Sequence, residues 1–123
     1  MYEENVLGLE DARKAINTML TEARKQPERS VAVAVDSYGG LVAFARMDKC
    51  RPTPVKMAFK KAYSAAMLGD TGGMSDRLGR MRIGVVDFGD ANLTSAQGGI
   101  AIHSASGGPT IGAIGVSGLR PEE

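Results

Sequence analysis

The sequence predicts an α+β domain built around an antiparallel sheet, and three observations carry that expectation. A three-four apolar spacing over residues 9 to about 25 reads as one amphipathic helix. Two branched, apolar runs flank a short glycine-bearing turn, the pattern of a hairpin. Thirteen of the sixteen glycines fall at or after Gly69, which confines the second half to short elements and tight turns. With 123 residues and 12.9 kDa, the chain has room for one domain and one core.

Each element has its own signature. In the first helix Leu9, Ala12, Ala15, Ile16, Met19, Leu20 and Ala23 share a face, with Glu10 and Asp11 in the first turn and Arg24 and Lys25 in the last to complement the dipole. Pro27 stops it. In 30–36 Val31, Val33 and Val35 alternate with Ala32 and Ala34, a strand with one fuller face. Ser37-Tyr38-Gly39-Gly40 turns the chain into a second strand over 41–47. Thr53 as N-cap and Pro54 as first helical residue open a helix that runs to Leu68 and ends at Gly69. Its Val55, Ala58, Ala62, Ala65 and Ala66 share one face, and Lys56, Lys60 and Ser64 the opposite one. A short helix is expected over 74–81 and an irregular stretch over 84–99. Strands follow near 100–104 and 110–117, separated by a turn at 104–109.

Composition excludes several function classes. The formal charge is +1, from 15 basic and 14 acidic residues, and the basic stretches lack interleaved aromatics, so nucleic acid is not an expected partner. No apolar run approaches a membrane span, and the acidic start Met1-Tyr2-Glu3-Glu4 does not resemble a secretory signal. One cysteine, Cys50, fits a reducing cytoplasm and forbids an intrachain disulfide. Together with a single histidine it leaves no structural zinc set, so no metal site is expected. Flanked by Lys49 and Arg51, Cys50 is expected to be exposed. The core is lean, with three Phe, three Tyr and no Trp, and such a small domain gains stability from association with copies of itself.

Taken in order, VDSYGGLVAFARMD (35–48), MAFKKAYSAAML (57–68) and GGIAIHSASGGPTIGAIGVSG (98–118) resemble the GlcG/HbpS-like family of small haem-binding or haem-degrading-type proteins, over about 110 residues. The resemblance implies a profilin-like fold, a five-stranded antiparallel sheet between helices, assembled as homo-oligomers up to octamers. It also implies an accessory or ligand-binding role in a catabolic operon, and haem as a candidate ligand. The whole chain, 1–123, reads as a single such domain, without the acidic-then-alanine helix that family members carry after the V-S-G motif. Where some members have a histidine late in the first helix, this chain has Thr21-Glu22-Ala23-Arg24.

Seven residues are candidates for chemistry. Lys61 matches the family's helix lysine and lies at the edge of the alanine face, where lost hydration lowers an amine's pKa or recruits an anion. It is placed to hold a carboxylate or phosphate, or to act as nucleophile or base; otherwise its stem covers the helix edge. Asp36 ends the first strand, either as its catalytic partner or as a cap on the turn amides. Arg46 offers a fork for a ligand carboxylate or a structural partner for Asp36 or Asp48. From Arg46 to Arg82 there are nine basic and three acidic residues, a field that attracts anions or meets the acidic N-terminus of another subunit. His103 is a ligand or base, or a structural strand histidine, and Tyr38 is an exposed turn residue able to reach iron. Gly115 and Ser117 lie on a strand bare enough for a ligand or another backbone, with the alanine face as the natural neighbour. No phosphate-loop or nucleophile-elbow spacing is present.

Two readings follow. One is an oligomeric protein binding a small anionic metabolite or a tetrapyrrole; the other is a cofactor-free enzyme acting on a carboxylate or carbonyl compound through Lys61 with Asp36 or Arg46. Convergence of those three residues on one cleft favours the enzyme, and an apolar slot wide enough for a macrocycle favours the binder. Without a first-helix histidine, haem binding is expected to be weak, and Lys61→Ala is expected to impair function more than His103→Ala. A stoichiometric Soret shift abolished by His103→Ala contradicts this.

Overall fold

The structure, a computed structural model, describes residues 1–26, 30–105 and 107–118. Its elements are α1 (Leu9–Ala23), β1 (Ala32–Ser37), β2 (Gly40–Arg46), α2 (Pro52–Leu68), α3 (Met74–Arg80), a 3-10 turn (Val85–Phe88), β3 (Gly99–His103) and β4 (Thr110–Ser117). The sheet is antiparallel throughout, in the order β2-β1-β4-β3. Helix α1 ends before Arg24, so Arg24 and Lys25 follow the last turn. Pro27, its expected stop, lies outside the described residues, as do Ser106 of the expected turn and the terminal 119–123.

The hairpin forms as its sequence requires. Tyr38 and Gly39 both have positive φ, 58° and 82°, the type I′ geometry that matches strand twist in a two-residue loop. A bulge between Val35 and Asp36 follows. Helix α2 begins two residues earlier than the Thr53-Pro54 pair indicates. Arg51 is the N-cap, makes no side-chain cap, and Pro52 opens the helix; a proline fits at either first-turn position because its missing N–H is not needed there.

Both faces of β1 are covered, by different chemistry. Val31, Val33 and Val35 join Ile114 and Val116 beneath Ala12, Ile16 and Ala23 of α1. The opposite face presents Ala32 and Ala34 to Ala58 and Ala62 of α2, with Cys50 beside them. Cys50 is thus buried rather than exposed; Lys49 and Arg51 point outward while the residue between them turns into the alanine layer. Each alanine contributes only one methyl to burial, about 0.8 kcal/mol, so this layer depends on close approach. A Cβ added at Gly115 would lie 2.3 Å from the Ala58 carbonyl oxygen and 2.5 Å from the Ala62 nitrogen, and one at Gly99 2.4 Å from the Lys61 oxygen. The helix backbone rests directly on two glycines.

Four strands are present among the described residues, where the family resemblance implies five. Beyond β3 the connection after α2 acts as a plug. Thr71 N–H donates to the Gly99 carbonyl (2.9 Å), Thr71 Oγ1 accepts from Gly99 N–H (2.8 Å), and Asp70 Oδ1 accepts from Ala101 N–H (2.8 Å). Two residues thereby satisfy edge groups that a further strand would otherwise take.

Gly115→Ala is expected to cost about 3 kcal/mol or to prevent folding, because helix backbone cannot yield the space a methyl needs. Gly72→Ala, with open space around its Cβ position, is expected to stay within about 0.5 kcal/mol of the parent. Chemical denaturation of the two variants checks the contrast.

Candidate functional site

Because α2 settles over β4 and β1, the same face of β2 is left without a helix above it. The bulge puts Leu41 opposite Asp36 and Phe44 opposite Ala34, so both apolar side chains emerge on the α2 side and remain partly exposed. Val55, Lys56, Phe59 and Lys60 of α2 line a common space with them, and Asn92 completes the lining. The result is a slot of about 450 Å³, within the range of clefts that hold drug-sized ligands, about 300–1,000 Å³. Its walls are apolar, and Lys56 and Lys60 supply cationic ends to otherwise aliphatic stems.

The irregular stretch, which lends Asn92 to the slot, is tied to α2 by side-chain hydrogen bonds. Tyr63 donates to Asp90, which holds the phenol above and the carboxyl below their ordinary pKa ranges. Ser64 Oγ accepts from Thr94 N–H (2.7 Å). Ser64 is therefore fully buried, against its expected place on the open face with Lys56 and Lys60: residues 90–94 fold over that side of the helix and need its hydroxyl. Phe59, which lines the slot, stacks on Tyr63 with ring centres 6.1 Å apart.

The candidates singled out in the sequence fall into two groups at opposite ends of the sheet. Lys61 reaches the C-terminal end of β4, its ammonium donating to the Val116 carbonyl (3.2 Å) and Ser117 Oγ (3.4 Å). Burial pushes its pKa below the ordinary lysine range. Arg46 belongs to the same end, in register with Ala32 and, through it, with Ser117. Its guanidinium lowers the Cys50 thiol pKa, which burial raises more strongly. Gly115 lies under the α2 backbone and has no open side to offer a ligand.

Asp36 is at the other end, opposite Ala113, four strand positions from Ser117 and so roughly 13 Å along the strand. Lys61, Arg46 and Asp36 do not share a cleft. Asp36 is fully buried; its Oδ1 accepts from Gly39 N–H (2.8 Å), capping the turn, and its Oδ2 has no partner among the described residues. Tyr38 stands exposed on the turn and donates to Glu4. His103, at the end of β3, bonds through Nδ1 to the Gly108 carbonyl (3.0 Å) and braces the β3–β4 turn. None of these seven lines the slot.

Leu41, Phe44, Val55, Phe59 and Asn92 were not singled out from the sequence, nor were Lys56 and Lys60 given a ligand role. The one available signal was a strand with apolar residues at adjacent positions, 41–45, more than one buried face requires. The bulge that decides which of them face α2 has no sequence mark.

Burial raises the Asp36 carboxyl above its ordinary value of 3.8, more than the Gly39 N–H lowers it. Burial disfavours the charged form, so the stability that the neutral acid contributes is complete below pH 3.8 and is lost as pH rises through the elevated value. Asp36→Asn, which stays neutral, is expected to be about 1–3 kcal/mol more stable than the parent at pH 7. The gap should close on acidification. Urea titrations from pH 3 to pH 8 read this directly; a parent protein that gains stability relative to Asp36→Asn as pH rises contradicts it.

Known structures share this architecture. A double mutant of HbpS from Streptomyces reticuli superimposes with a TM-score of 0.79 at 27% identity, over 97% of this chain and 79% of that one. PduOC in complex with haem gives 0.80 at 26% identity, over 95% and 86%. Klebsiella pneumoniae protein ORFY gives 0.81 at 19%, over 99% and 85%, a likeness of fold. No curated protein sequence matches significantly. The family model described as haem degrading protein HbpS-like matches residues 7–123, nearly the whole chain, and with the four-stranded α+β architecture this places the protein in the HbpS-like family.

Proposed function

We propose that this protein binds a planar, apolar anion of the tetrapyrrole class in the slot between β2 and α2. The observation that carries the reading is the slot itself: two walls of Leu41, Phe44, Val55 and Phe59 with Lys56 and Lys60 at its margin. A macrocycle buries its faces against the apolar walls and sets its carboxylates near the ammonium groups, where desolvation strengthens the attraction. Membership of the HbpS-like family and the likeness to PduOC in its haem complex support the same class of ligand.

The fit extends to the macrocycle and its acidic edge, not to its metal. The slot lining contains no His, Cys, Met or Tyr, the side chains that ordinarily hold haem iron. His103 is occupied at a distant turn. Recognition therefore rests on shape, burial and charge, and the role is binding or handling of the ligand in service of another protein. The enzymatic reading through Lys61 with Asp36 or Arg46 asks for one shared cleft, and these groups do not make one: Arg46 lies at the Lys61 end of the sheet, and Asp36 at the other end of β4.

Fluorescence and absorbance titrations test this. Haemin and iron-free protoporphyrin are expected to bind with dissociation constants within about threefold of one another. Phe44→Ala is expected to weaken both about tenfold, about 1.4 kcal/mol, and Lys60→Ala a few-fold, more at low salt. His103→Ala is expected to leave both unchanged. Haemin binding a hundredfold tighter than the metal-free ring, or loss of binding in His103→Ala alone, would place the site elsewhere.

A further inference from the structure

Lys61 takes no part in the slot, and its surroundings are unusual for a lysine. It is half-buried at the C-terminal end of β4, where Nζ donates to the Val116 carbonyl (3.2 Å) and to Ser117 Oγ (3.4 Å). Both acceptors are neutral. Among the described residues no carboxylate lies within ion-pair distance of the nitrogen, and no third acceptor bonds to it. An ammonium carries three protons and gains most from a charged partner, whereas a neutral amine carries two protons and a lone pair. Two neutral acceptors therefore match the amine. Both protons are bonded, and the lone pair is the position left over. Burial acts in the same sense, holding the Lys61 pKa below the ordinary lysine range.

The backbone beside the amine is cleared of side chains. Gly98, with φ of 120°, lies against the lysine stem, and a Cβ added there would stand 3.1 Å from Lys61 Cδ and 3.2 Å from Nζ. Such a contact would crowd the nitrogen, and glycine leaves that side unobstructed. Ser117 Oγ, which accepts from Nζ, keeps its own proton to give. A lone pair, an open approach and a hydroxyl relay thus meet at one nitrogen.

We propose that Lys61 is a covalent capture site for small uncharged aldehydes, which it holds reversibly as an imine on Nζ. The Nζ lone pair forms a C–N bond to the carbonyl carbon, and the C=O π pair moves to oxygen. The two protons that the nitrogen gives up pass to that oxygen, one of them through Ser117 Oγ, and the oxygen leaves as water. Addition of water reverses the step and releases the aldehyde. The balance needs no oxidant or reductant, and neither Asp36 nor Arg46 enters it. Small aldehydes are selected because the nitrogen is held against the sheet backbone, where a bulky carbonyl substituent would meet Val116. The site is separate from the slot and stands whether or not the slot takes a tetrapyrrole.

Labelling of the unmodified full chain tests this without any variant. Acetaldehyde with cyanoborohydride at pH 7, stopped below one label per chain, converts each imine into a stable ethylamine that peptide mass mapping assigns. Lys61 is expected to carry about tenfold more label than any of the exposed Lys14, Lys25, Lys49 and Lys56. The terminal amine, whose ordinary pKa is already low, is counted apart. Lys61→Arg, shown to be folded by circular dichroism, is expected to lose this label and no other. Ser117→Ala is expected to slow labelling of Lys61 severalfold while leaving Lys56 unchanged. Labelling of Lys61 no faster than that of the exposed lysines overturns the proposal and makes the side chain a brace on the end of β4. Undiminished labelling of Lys61 in Ser117→Ala overturns the hydroxyl relay alone.

Discussion

The approach of α2 to the sheet governs the rest of this molecule. Ala58 and Ala62 bring helix backbone against Gly115, and the Lys61 carbonyl comes close to Gly99. At that distance neither partner tolerates a Cβ on the sheet side. Small side chains on both surfaces do not bury much area, but they fix the helix position to within a fraction of an ångström. Dispersion then acts between backbones rather than between long side chains.

Several features follow from that seat. The helix lies over β4, β1 and β3, so β2 is left to one side and the slot opens between them. Lys61 is drawn to the sheet end, where Val116 and Ser117 accept its protons. The polar side of α2 faces outward and is partly roofed by residues 90–94 through Ser64 and Tyr63. Opposite, α1 works by ordinary means, with larger valine and isoleucine side chains filling the layer. One sheet thus carries a thick hydrophobic layer for stability and a thin one that sets geometry.

Polar groups are distributed to match. The β3 edge is closed by two short side chains from a connection, and the β3–β4 turn is braced by the only histidine. Asp36 is the exception, a carboxyl buried with one oxygen bonded to Gly39 and the other unpartnered among the described residues. It fixes the hairpin turn that carries Tyr38, while burial penalises its charged form.

The elements themselves were written locally. The three-four spacing of α1, the valine alternation of β1, the Tyr38-Gly39 turn and the Ala–Gly complementarity of α2 and β4 are all short-range patterns, and each reappears in the structure within a residue or two. Lys61 at the edge of the alanine face was readable by the same means, because a helical wheel needs no tertiary knowledge. What the wheel could not supply was coverage. Ser64 reads as outward until residues 90–94 fold over it, and Cys50 reads as exposed until its neighbours turn away. The slot depends on a bulge of one residue, which reverses the faces of Leu41 and the residues beyond it, and on a helix displaced from one strand. Both arise from how elements pack, where close approach at one place leaves a gap at another, and no pattern along a single segment encodes that gap.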